Sequence, residues 1–213
     1  MLPPDATELL LVRHGASAAA VPGERFELLE GQGDPPLAPE GVEQARAVGA
    51  RLAQRPPDAI FVTPLRRTAQ TAEPLVAATG AEPEVVPELR EVHLGEWEGG
   101  ELRIRAAHGD PLLARVISEE RWDVIPGAES MEAFADRVRA GIERAVAVTG
   151  AGRAALFVHG GVIGEACRQA TASRRFAFVY ADNGSITRLV VLPDGRWLLR
   201  GFNDTAHLTD TAR

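Results

Sequence analysis

The sequence predicts an α/β fold: a mostly parallel central sheet flanked by helices on both faces, with a C-terminal antiparallel hairpin and a helical insertion. Short apolar runs alternate with segments of helical spacing, which is the pattern of a parallel sheet with crossover helices. Several of those runs stop abruptly on Arg, His or Thr followed by Gly or Pro, and Pro193-Asp194-Gly195 joins two strand-like runs near the end of the chain. At 213 residues the chain fits one domain over 1–213, with the insertion expected at about 96–127.

Glu8 to Val12 reads as a buried strand, because the apolar run is too short for a helix and ends in Arg13-His14-Gly15. Ala16 to Pro36, rich in Gly, Pro and Ala, is a long loop of the kind that serves function or moves. Pro39 to Arg55 places Val42, Ala45, Gly49 and Leu52 on one helical face. Ala59 to Val62 is a second strand, and Thr63-Pro64 offers an N-cap and a first-turn proline for a helix reaching about Thr79. Glu84 to Val86 is a third strand, ended by Pro87, and Gly95, Gly99, Gly100 and Gly109 mark turns in the mixed region that follows. Ser130 caps a helix whose Met131, Phe134, Val138 and Ile142 form an apolar stripe. Ala154 to Val158 is a strand broken by His159-Gly160-Gly161 and followed by a helix containing Cys167. Ser185 to Leu192 and Arg196 to Phe202 form the closing hairpin.

Composition excludes several classes. A formal net charge of -7 argues against general binding to nucleic acid or to an anionic membrane, both of which need a cationic face. No run approaches the length of a membrane span, and the opening MLPPDATE has neither a positive segment nor an apolar core, so a cytoplasmic location is expected. The lone Cys167 permits no intramolecular disulfide and no cysteine-rich metal site. All 23 basic residues are arginine, which removes the P-loop lysine, Schiff-base chemistry and pyridoxal phosphate attachment. No cofactor and no metal are expected.

In open α/β sheets ligands bind outside the carboxyl ends of the strands. Three predicted strands here end in candidate binding residues: Arg13-His14-Gly15, Thr63 through Arg67, and His159-Gly160-Gly161. One His-Gly pair by itself needs no more than a ring hydrogen-bonded to a loop carbonyl. Two such pairs among arginines would be electrostatically unfavourable without an anion between them, and phosphate fits. The run His159 to Gly164 differs from a dinucleotide fingerprint by the histidine at its first glycine, and the helix N-terminus that follows suits an anion in either case. After the third strand, Glu88 to Gly99 brings a carboxylate toward the same crevice. Spacing does not choose Glu91 over Glu88 or Glu96, and helical periodicity does not separate Arg66 from Arg67.

These residues resemble the histidine phosphatase superfamily, the phosphoglycerate mutase-like phosphatases. The match runs through Leu11-Val12-Arg13-His14-Gly15, Asp34 to Leu37 with Gly41 and Gln44-Ala45, Thr63 to Ala72, Leu89-Arg90-Glu91 to Gly99, Pro126 to Phe134, and Val158-His159-Gly160. The resemblance implies a metal-independent phosphomonoester hydrolase with His14 as nucleophile and Glu91 as proton donor, then general base. It implies Arg13, Arg67 and His159 as clamps on the phosphoryl oxygens, and it puts Gly15, Ser17, Gly160 and His93 beside phosphate or substrate. The family register also selects Arg67 over Arg66. Gly15 is expected to let the backbone turn away so that a phosphate can approach.

Ala16 and Ala20 depart from the family pattern and remove one usual phosphate contact. The expected partner is a small phosphorylated metabolite, with homodimer formation left open. Phosphoglycerate mutase-type phosphoryl transfer is the runner-up, and a non-catalytic phosphate-binding regulator of the same fold is the alternative from a different class. Trp97, Trp122 and Phe26 suit either a pocket or packing, and Arg103 and Arg105 suit recruitment of an anionic substrate or, more simply, a solvated helical face.

Overall fold

Strand β1 (Thr7–Arg13) explains the layers around it. Leu9 and Leu11 belong to one apolar core, Leu10 and Val12 to another on the opposite face, and all four are buried. A strand covered on both faces shows a continuous apolar run, as Leu9-Leu10-Leu11-Val12 does. Each of these side chains contributes roughly 1.5–3 kcal/mol of burial.

The computed structural model describes residues 3–208. Within the long loop after β1 lies a two-stranded ribbon, β2 (Leu28–Leu29) and β3 (Gln32–Gly33). Its turn residues Glu30 and Gly31 have φ of 49° and 86°, the left-handed pair that a two-residue hairpin requires. There follow α1 (Pro39–Ala53), β4 (Ala59–Val62), α2 (Arg66–Thr79), β5 (Glu84–Val85), α3 (Glu101–Ala107) and α4 (Pro111–Glu119). The chain continues with α5 (Met131–Thr149), β6 (Arg153–Val158), α6 (Gly160–Thr171), β7 (Ile186–Val191) and β8 (Trp197–Asp204).

The six-stranded sheet has the order β5-β4-β6-β1-β7-β8. It is parallel from β5 to β1 and antiparallel through β7 and β8, as the sequence predicts. Val48 and Leu52 of α1 and Ala72 and Leu75 of α2 pack on the face of Leu10, Val12 and Phe157. Phe134, Val138 and Ile142 of α5 and Ile163 and Cys167 of α6 pack on the other. Ser130 caps α5 by accepting the Ala133 N–H at 3.1 Å. A smaller cluster of Trp97, Val116 and Ile125 lies beneath α4. Among the described residues no helix is long and apolar enough to cross a membrane.

Two local expectations change. Val42 is 38% exposed, and the buried face of α1 includes Gly41, Ala45, Val48, Gly49 and Leu52. The backbone of Gly41 meets the chain at Ala16, just after β1, which puts Gly41 in place of Val42 at the start of the stripe. Helix α2 begins at Arg66 with Leu65 in the cap position, because the Thr63 hydroxyl is engaged across the sheet with His159.

Candidate active site

Register brings three strand ends together. Arg13 pairs with Val158, and Val62 pairs with Phe157, so His14, His159 and Thr63 emerge side by side at the carboxyl ends of β1, β6 and β4. Backbone bonds fix this edge: the His14 N–H donates to Val158 O at 3.0 Å, and Gly184 N–H donates to Arg13 O at 3.0 Å. The Asn183 side-chain amide donates to His14 O at 2.8 Å.

The His14 ring is buried, and its Nδ1 lies 2.7 Å from the carbonyl oxygen of Gly15. A carbonyl only accepts, so Nδ1 carries the proton and Nε2 keeps the lone pair in the neutral ring. Burial, then the nearby Arg67, Arg13 and Arg103 guanidinium groups, hold His14 well below the ordinary imidazole range, against the smaller upward pull of the Gly15 carbonyl. His159 lies with its ring centroid 5.3 Å from that of His14. Burial first, then Arg67 and the second histidine, keep it neutral as well. Its Nε2 is 2.9 Å from Thr63 Oγ1, and Thr63 Oγ1 is 3.1 Å from Thr68 Oγ1. His159 Nδ1 is buried without a protein partner, as is Arg13 Nε.

A cleft of about 180 Å³ opens onto Arg13, His14, Arg67 and Glu91, roofed by Phe26, Trp97 and Arg103. Arg67 Nη1 donates to Gly33 O at 3.0 Å, and burial draws its guanidinium down to about 10 against the pull of Glu91 and Asp34, so it stays cationic at neutral pH. Arg66 instead donates to Asp34 through its backbone N–H and Nε, both at 2.8 Å, and pairs with Glu27. The geometry thus separates two arginines that helical periodicity leaves together. The three glutamates separate too: Glu88 pairs with Arg144, Glu96 is exposed, and Glu91 lines the cleft. Glu91 Oε2 accepts the Gly161 N–H at 3.1 Å, and Oε1 accepts the Val92 N–H at 2.9 Å.

The remaining expected site residues lie around the cleft rather than lining it. A Cβ on Gly15 would sit 2.4 Å from Gly41 O, so the close approach of α1 to the chain just after β1 by itself requires a glycine here. Ser17 Oγ accepts from Arg103 Nη2 at 2.7 Å. Gly160 passes beside Arg13, where a Cβ would meet Nε at 3.3 Å. His93 Nδ1 accepts the Gly95 N–H at 3.1 Å. Cys167 is buried on α6, and burial pushes its thiol up to about 12. Among the described residues no group of three or more His, Cys, Asp or Glu side chains could hold a metal ion.

Sequence reasoning missed Arg137 and gave too little weight to Arg103 and Gly161. Arg103, read as part of a solvated face, reaches back from α3 and donates to Ala18 O at 2.8 Å as well as to Ser17. Arg137 of α5 donates to the carbonyls of Glu88, Arg90 and Glu91 at 2.6–2.8 Å while pairing with Glu129, and so holds the backbone that presents Glu91. Gly161 leaves room for the Glu91 carboxylate, since a Cβ there would lie 2.4 Å from Oε1. Its signal was the second glycine of His159-Gly160-Gly161.

Residues 9–205 match the model of the histidine phosphatase superfamily, branch 1. The chain is 29% identical to a metal-independent phosphoserine phosphatase of Arabidopsis thaliana over 209 residues, covering 96% of this chain and 84% of that one. It is 31% identical to a probable phosphoglycerate mutase of Proteus mirabilis over 217 aligned positions, covering 96% of each. A mycobacterial glucosyl-3-phosphoglycerate phosphatase superposes with a TM-score of 0.76 at 29% identity, over 94% of this chain and 100% of that one.

Proposed function

The chain belongs to the histidine phosphatase superfamily, and from that premise we propose that it hydrolyses a small phosphomonoester without a metal, through a phosphohistidine on His14. The observation that carries the reading is the 2.7 Å contact of His14 Nδ1 with Gly15 O in a ring kept neutral by burial and arginines. It frees Nε2 as a nucleophile at ordinary pH. Nε2 attacks phosphorus, the P–N bond forms as the P–O bond to the leaving group breaks, and Glu91 gives that oxygen its proton. Glu91, then ionised, takes a proton from water, whose oxygen displaces Nε2 and yields inorganic phosphate.

Arg13, Arg67 and His159 bind the non-reacting phosphoryl oxygens, where charge spreads in the transition state. The unpartnered Arg13 Nε and His159 Nδ1 are the donors this step calls for. In the tautomer whose Nε2 accepts from the Thr63 hydroxyl, the neutral His159 ring presents an N–H at Nδ1. Arg103 offers a charge to a second anionic group of the substrate, which suits the carboxylate-bearing compounds named for the relatives. We read 1–213 as one domain in which the segment at about 96–127 is an insertion that tunes this choice.

Phosphate release from p-nitrophenyl phosphate in the presence of EDTA tests the proposal. Activity is expected with chelator and is expected to vanish in His14→Ala. A requirement for added metal, or full activity in His14→Ala, overturns it. Interconversion of phosphoglycerates with a bisphosphoglycerate primer, faster than phosphate release, would instead assign the mutase reaction.

A further inference from the structure

A second cavity, of about 470 Å³, is larger than the catalytic cleft and is lined by five arginines: Arg51, Arg55, Arg153, Arg188 and Arg200. Its floor is Leu10, Leu52 and Ile186. These residues come from the C-terminal end of α1 and the segment after it, the start of β6, and strands β7 and β8. Arg153 pairs in register with Glu8 near the beginning of β1, whereas His14 follows the end of that strand. Five residue steps of strand separate Glu8 from Arg13, or roughly 17 Å. The cavity also shares no lining residue with the cleft, so the two are separate.

The charge in it is unbalanced. Glu8 pairs with Arg153 at 3.2 Å and with Arg188 at 3.6 Å, and Asp204 is the one carboxylate lining the cavity. Arg51, Arg55 and Arg200 have no carboxylate partner among the described residues. In a chain of net charge -7 this concentration of cations runs against the overall composition. The C-terminus of α1 accounts for Arg51, which sits in its last turn, but not for Arg188 and Arg200 on strands. Crowding is felt: after burial, Arg55, Arg188 and Arg51 all push the Arg153 guanidinium below its ordinary value, against Glu8.

We propose that this cavity is an anion site, distinct from the active site, that takes a compact ligand carrying two phosphate or phosphonate groups. Guanidinium forks bind such oxygens bidentately, and three unpaired forks around one hollow exceed what a single monoanion would neutralise. A ligand there lies against the sheet between α1 and the β7–β8 hairpin.

Methylenediphosphonate, whose P–C–P bridge a phosphatase cannot cleave, is the probe. It is titrated calorimetrically at low salt into Arg67→Ala protein, in which the catalytic cleft is weakened, with and without R51E/R200E. Binding is expected in Arg67→Ala and is expected to fall at least tenfold on charge reversal. R51E/R200E in an otherwise wild-type chain is expected to keep its p-nitrophenyl phosphate turnover. Should the reversed variant fail to fold, R51Q/R200Q serves in its place, with the same direction of change. No binding heat in Arg67→Ala, or an isotherm unchanged by loss of Arg51 and Arg200, overturns the proposal.

Discussion

The strand-end cradle and the rim above it are built by different means. In the cradle, His14, Arg67, Thr68, Thr71 and His159 are buried; strand pairing sets the two histidines, and side-chain bonds to Gly33 O, the Thr63 N–H and the Gly15 N–H tie Arg67, Thr68 and Thr71 to the same edge. On the rim, exposed contacts do the holding: ion pairs of Arg66 with Glu27 and of Arg90 with Glu30, and hydrogen bonds from Arg103 to Ser17 Oγ and Ala18 O. Exposed pairs contribute about 0–1 kcal/mol each, whereas a buried polar group left unpaired costs about 1–3 kcal/mol. The cradle therefore tolerates little change, and the rim can be altered at small cost. Under the proposed function, chemistry belongs to the first region and substrate choice to the second.

Substitutions can break or sharpen that contrast. Glu91→Gln keeps the shape of the side chain and removes its proton transfer, so kcat is expected to fall by about 10²–10⁴-fold with little change in melting temperature. Gly161→Ala drives a Cβ to 2.4 Å from Glu91 Oε1 and must displace that carboxylate. A loss of kcat of about 10²-fold is expected, and a fully active Gly161→Ala would show that Glu91 need not stay where it is.

Acid should unsettle the cradle before the rim. Both buried histidines have values depressed well below 6.5, so below pH 6.5 the unfolded chain binds protons that the folded rings refuse. Stability then falls as pH drops through that window, by up to about 1.4 kcal/mol per pH unit for each ring. Thermal melts from pH 7 to pH 5 should show this slope, and a His14→Asn/His159→Asn double variant should flatten it. The smallest effect is on the rim: Arg103→Ala is expected to raise KM a few-fold for substrates with a second anionic group, leaving kcat and turnover of p-nitrophenyl phosphate nearly unchanged. An equal fall in kcat for both substrates would move Arg103 into the cradle.

The same contrast governs what the sequence disclosed. Strand ends announce themselves, because a buried apolar run that stops on Arg13-His14 or on His159 carries charge or a titratable ring straight to the edge of a sheet. The sheet, its closing hairpin and the α5 stripe were legible from their apolar spacing in the same way. Choices between neighbours were not legible from spacing, only from the family register: Arg66 and Arg67 differ in their contacts because Asp34, 32 residues away in sequence, captures the first of them. Arg103 stayed open between substrate recruitment and a solvated face because α3 buries no residue of its own, so its periodicity says nothing of the loop it touches. Thr63 looked like a cap in local terms, and only the pairing of β4 with β6 reveals its partner, His159.

The burial of Cys167 has a consequence for redox behaviour. A thiol pushed up to about 12 holds almost no thiolate at cellular pH, and thiolate is the form that peroxide attacks. The proposed nucleophile is an imidazole nitrogen, which does not climb the sulfur oxidation ladder. Peroxide at levels that silence thiolate-dependent phosphatases should leave this chain working, with no reductant needed to keep it so.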